Sequence, residues 1–142
     1  MIKLIAQDER YCVVSPTGGP LTICVTANNG LRAGAVFWLW AKDENDKWVK
    51  KGKFDLKTGD SGRGCKELEF PVNSLERNAL TWRITTCSFI PAVDAGNIEV
   101  QIIQDNVSCQ VTRPMQWSLS EVGQCSQDSG KQIESAVHIL FK

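Results

Sequence analysis

Six cysteines give this chain its most direct chemistry, since a cysteine can serve as thiolate nucleophile, metal ligand or half of a disulfide. Cys12, Cys24, Cys65, Cys87, Cys109 and Cys125 are spread too widely for zinc, whose cysteine ligands come as close-set pairs, so no metal site is expected. Cys12, Cys24, Cys87 and Cys109 fall in apolar, strand-like runs, where a thiol packs as a small apolar side chain. Cys65 and Cys125 stand in polar, Gly/Ser-rich surroundings, where an exposed thiol oxidises and a bridge clips a loop; they are the expected candidates for bridging. The even count permits a disulfide framework, but spacing alone does not choose its pairing. Bridged cysteines would place the chain in an oxidising setting, secreted or at a surface, and free thiols would place it in the cytoplasm.

Gly59-Asp60-Ser61-Gly62 sets a serine between glycines. These four residues resemble part of the sequence around the nucleophile of chymotrypsin-like serine proteases, where backbone amides form an oxyanion hole. The only histidine, His138, follows the serine instead of preceding it as in that family, and the chain is too short for two barrels. A serine hydrolase is therefore the most distant alternative, and no catalytic residue is expected. The run Gly59 to Gly64 also mimics a phosphate-binding loop, but Cys65 stands where the lysine is required and a strand follows where a helix should begin, so it reads as a turn. Asp43, Glu44 and Asp46, or Asp55 and Asp60, could face a calcium ion, yet neither set has the spacing of a dedicated calcium loop. His138 lies on the pleat face opposite Val137, Ile139 and Phe141, as a solvent-side or hydrogen-bonded structural residue would. Asn106-Val-Ser108 satisfies the glycosylation pattern, which matters only in a secreted eukaryotic protein.

Tryptophans carry the remaining recognition chemistry. Ala35-Val-Phe-Trp-Leu-Trp-Ala41 is apolar on both faces, with Val36, Trp38 and Trp40 on one side and Phe37 and Leu39 on the other, as in a strand inside a sheet. The acidic turn Asp43 to Asp46 folds the next strand back and brings Trp48 near Trp40. A cluster of Trp38, Trp40 and Trp48 is either a core seam or a platform for sugar rings, and the tendency of large aromatics to be buried makes core the stronger reading. Trp82 alternates with Leu80 and Ile84 and is expected in the core, whereas Trp117, beside a polar segment, is expected to face water.

The elements that would position these residues are strands. Apolar runs end repeatedly at Gly, Pro, Asn or Asp, and about nine to ten strands are expected: 2–6, 11–14, 21–27, 35–42, 47–56, 66–70, 80–89, 98–104, 107–112 and 133–141. All five prolines lie at strand margins, where a missing amide hydrogen breaks no ladder. Residues 118–131 read as a long polar loop. Sustained helical periodicity and internal repeats are absent from the sequence. Such a pattern points to a single all-β domain over residues 1–142, an antiparallel β-sandwich with a barrel as the alternative.

A chain of 142 residues, 42% hydrophobic and 23% charged, has the composition of a folded domain. Sixteen basic residues balance sixteen acidic ones, so no global field gathers phosphates, and nucleic acid is not expected as a partner. The lysines from Lys42 to Lys57 read as protection of a solvated sheet edge. The first residues are too quickly polar for a secretory signal, and no run approaches the roughly 18 apolar residues of a membrane span. The expectation is a soluble, non-enzymatic binding module without cofactor, lectin-like in recognising carbohydrate or else recognising protein, through Trp117, Trp48 and Trp40. The alternative is a self-associating structural or toxin-like subunit forming homo-oligomers.

Overall fold

The computed structural model describes residues 11–28, 31–88, 95–110, 115–118 and 131–142. Within them, ten strands form: β1 (Tyr11–Val14), β2 (Thr22–Ala27), β3 (Leu31–Lys42), β4 (Trp48–Lys57), β5 (Arg63–Glu67), β6 (Ala79–Ser88), β7 (Ala95–Gln104), β8 (Val107–Gln110), β9 (Met115–Ser118) and β10 (Lys131–Phe141). The first sheet runs β1-β10-β6-β3-β4 and the second β5-β2-β7-β8, with β9 also paired to β7. Every pairing is antiparallel except β1 with β10. Neither sheet closes on itself, so the architecture is the sandwich and the barrel alternative falls.

Alternation along the strands builds the core between the sheets. In β3 every second residue from Leu31 to Leu39 is buried, and Phe37 and Leu39 belong to one core cluster with Trp82, Ile84, Val137 and Ile139 of the same sheet. Ile23, Val25, Ile98, Val100 and Ile102 close the core from the second sheet. Each large apolar side chain buried this way contributes roughly 1.5–3 kcal/mol. Phe37 stacks on Phe54 at 5.0 Å between centroids and tilts against Trp82 at 5.9 Å. Trp82 is therefore core, as its alternation indicated.

Turn chemistry is visible in the backbone. Asp43 Oδ1 accepts from the amides of Asn45 and Lys47, and Asp46 takes a φ of 60°, which reverses β3 into β4. Asp105 and Asn106, at φ 50° and 63°, make the two-residue reversal between β7 and β8, with both central residues left-handed. Asp105 also accepts from the amide of Gly19, and Gln104 bonds both the amide and the carbonyl of Ser15, tying the β1–β2 connection to this turn.

Sequence periodicity misplaced some boundaries. The strand expected at 66–70 lies at Arg63–Glu67, because Gly59–Ser61 is one short 3-10 turn and the ladder resumes at once after Gly62. β3 starts at Leu31 and not at residue 35. β9 was not foreseen as a strand, and the expected strand at 2–6 and most of the loop expected at 118–131 lie outside the described residues.

The chain crosses from the first sheet to the second between β4 and β5, and Thr58 holds that corner. It is 1% exposed; its amide donates to the Ala33 carbonyl at 3.0 Å, and its Oγ1 accepts from the Ala33 amide at 3.0 Å. Its side chain thus satisfies a donor that would otherwise be buried unpaired. Thr58→Val keeps the shape and removes the acceptor, and is expected to cost about 1–3 kcal/mol in urea unfolding without changing the m-value.

Candidate functional site

The most chemically equipped surface is the outer face of the first sheet. Register places Trp38 and Trp40 of β3 on this face, opposite Lys53 and Lys50 of β4, while Phe37 and Leu39 point inward. Trp38, Trp40 and Trp48 are all half-buried and none belongs to the core, which corrects the expectation of a buried tryptophan seam. The division of β3 into two pleat faces was readable; which face met the second sheet was not, because both are apolar.

Parallel pairing of β1 with β10 sets Tyr11 beside His138, with ring centroids 5.8 Å apart. His138 in turn stands opposite Ala79, and Ala79 opposite Trp40. From the hairpin end, the Trp48 ring comes within 5.9 Å of the His138 ring, tilted by 48°. β4 and β10 are three strand spacings apart, about 14 Å in a flat sheet, so this contact requires the β3–β4 hairpin to curl over the face. A register shift between Leu39 and Trp40 supplies the bend, as an extra residue in one strand of a pair increases local twist.

Further contacts hold the rings in place. Trp40 Nε1 donates to Thr81 Oγ1 at 2.9 Å, which fixes the indole across the β3–β6 ladder. Lys42 Nζ lies 5.1 Å above the Trp48 ring and 3.1 Å from Asp46, a cation over an aromatic face that is itself ion-paired. At the bulge itself, Lys51, the residue without a register partner on β3, donates through Nζ to the Ser74 carbonyl and hydroxyl and sits 5.0 Å over Phe70. Burial pulls its ammonium below the ordinary lysine range. Lys50, Lys53 and Lys57 are exposed along β4 with Asp55 among them, and Arg83 pairs with Glu134 at 2.6 Å farther along the face.

Of the residues singled out by sequence, Trp40 and Trp48 share this face as diagonal neighbours. Trp117 sits opposite Gly96 in the β9–β7 ladder, and its side chain is outside what the structure describes. Cys65 is bridged to Cys24, its direct partner across β5 and β2, so Cys24 is not the free thiol its strand position suggested. Cys12 packs in the core, while Cys125 and the side chains of Cys87 and Cys109 lie outside the described residues. Ser61 Oγ lies 3.1 Å from the Thr58 carbonyl and 3.0 Å from the Arg63 carbonyl, so its one hydroxyl hydrogen is shared between these two acceptors and staples the turn. Among the described residues no group of three His, Cys, Asp or Glu side chains could hold a metal, and no helix is long and apolar enough to cross a membrane.

Tyr11 and His138 are the site residues that sequence reading did not join. Their approach depends on a parallel pairing between distant segments, which leaves no local signature; the only hint was the outward pleat position of His138.

No family model, curated protein or solved structure matches the chain.

The Trp40–Thr81 bond makes a direct prediction. Trp40→Phe and Thr81→Val should each destabilise the fold by about 1 kcal/mol, and the double variant by less than the sum, whereas Trp48→Phe should leave stability nearly unchanged. Urea unfolding of the four variants measures this coupling.

Proposed function

We propose that this chain is a non-enzymatic β-sandwich binding module that holds a carbohydrate on the outer face of its first sheet. The observation that carries this reading is the partly exposed strip Tyr11, His138, Trp48 and Trp40, drawn together from four strands. Pyranose rings present axial C–H groups that pack on aromatic faces, and their hydroxyls bond to imidazole, ammonium and carboxylate groups at the rim. His138, Lys50 and Lys53 supply such groups beside the rings. Pre-fixing Trp40 through Thr81 lowers the ordering cost of binding. The commitment of Ser61 to backbone carbonyls supports a binding over a hydrolytic role. The Cys24–Cys65 bridge supports an oxidising, extracellular setting, where glycans are the abundant ligands.

Titration of the protein with a broad glycan panel, read by tryptophan fluorescence and thermal shift, tests the proposal. At least one glycan should shift both signals, and Trp48→Ala should weaken its binding about tenfold or more, equivalent to about 1.4 kcal/mol. Unchanged fluorescence and unchanged melting across the panel would overturn it.

Self-association is the second reading, supported by Tyr11 and Val13, 48% and 50% exposed on the edge strand β1. Native mass spectrometry separates the two. A stable symmetric oligomer disrupted by Val13→Lys would favour assembly, and a strict monomer at high concentration would remove it.

A further inference from the structure

The second sheet carries a different chemistry on its own outer face. Cys24 and Cys65 are direct cross-strand partners, and the two residues differ sharply in exposure: Cys65 is exposed on β5, which among the described residues is an edge strand paired with β2, whereas Cys24 is 1% exposed yet is not part of the inter-sheet core. Arg63, two residues before Cys65 and on the same pleat face, places its guanidinium on both sulfurs. Nε donates to Cys65 Sγ at 3.4 Å and Nη2 to Cys24 Sγ at 3.5 Å. The carboxylates nearest in register on this face are Glu67 and Glu99, and Glu99 is engaged by Gln101.

We propose that this bridge is a thiol-exchange site, with Cys65 as the sulfur attacked by an external thiol and Arg63 as the positioning residue that stabilises the departing Cys24 thiolate. A thiolate from a glutathione-like or protein thiol approaches Cys65 Sγ from the open edge of β5. A bond forms between the incoming sulfur and Cys65, the Cys24–Cys65 bond breaks, and its electron pair leaves on Cys24 Sγ beside Nη2 of Arg63. A second thiol can then attack the mixed disulfide, giving the oxidised external disulfide and reduced Cys65, so that two external thiols are oxidised for one protein bridge reduced. Alternatively, the Cys24 thiolate attacks Cys65 and restores the starting bridge. Exchange speeds up as the leaving thiol becomes more acidic, and an adjacent guanidinium has that effect on a cysteine. The burial of Cys24 keeps the external thiol from the other sulfur and directs the adduct to one position.

Two local features hold this geometry. Gly62, at φ 75°, passes against the Ala27 carbonyl of β2, and a Cβ on Gly64 would collide with the Lys57 carbonyl at the end of β4, so the turn packs the start of β5 tightly against both strands. Arg63 is exposed, so its replacement is expected to leave the fold in place.

The test is exchange of the folded protein with excess glutathione, followed by acid quench, alkylation and peptide mass mapping. Glutathione should be found on Cys65 and the alkylating group on Cys24. Arg63→Gln should slow the first exchange step about tenfold or more, with Arg63→Lys recovering part of the rate and both variants unfolding in urea at the wild-type midpoint. Glutathione on Cys24, an unchanged rate in Arg63→Gln, or an exchange rate that simply follows global unfolding would each overturn the proposal.

Discussion

The period-two alternation of β3 is the constraint on which the rest depends. It lies between β6 and β4 and offers apolar side chains to both faces, so the same strand supplies the centre of the core and the centre of the outer aromatic strip. Inward, Phe37 and Leu39 anchor the packing of both sheets. Outward, Trp38 and Trp40 are left partly in contact with water, a cost that an ordinary solvated strand avoids by placing polar residues there. A slip of one residue in register would bury the tryptophans and expose Phe37, so the bulge beside Trp40 and the Asp43-stapled turn also fix which rings face water.

This double use explains what could be read in the sequence. Strand content, the hairpin from β3 to β4, the outward pleat of His138 and the core position of Trp82 all follow from alternation and turn residues, which are local signals. The exposure of Trp38, Trp40 and Trp48 was misjudged because alternation names two faces without saying which one meets the other sheet. The bridge between Cys24 and Cys65 was half legible. Polar surroundings marked Cys65, but an apolar strand disguised Cys24, whose burial lies under a disulfide and a guanidinium rather than in the core. The pairing of Tyr11 with His138 is non-local, and nothing in either segment announces it.

The Thr58 corner joins the two sheets that carry the ring strip and the disulfide. β4, which carries Trp48, and β5, which carries Cys65, are consecutive strands on edges of opposite sheets, joined through a turn bonded to Ala33 of β3. The ring strip and the disulfide therefore lie on outward faces that point away from one another, sharing a hinge of buried hydrogen bonds.

The parallel join of β1 to β10 has a consequence for the order of events in synthesis. Tyr11 leaves the ribosome early, but its partner His138 emerges only with β10, and β10 also separates β1 from the remainder of its sheet. β3 can pair with β4 and then β6 as they appear, yet the ring strip stays incomplete until β10 is available. The ring strip is thus a product of the assembled sheet and not of any one hairpin.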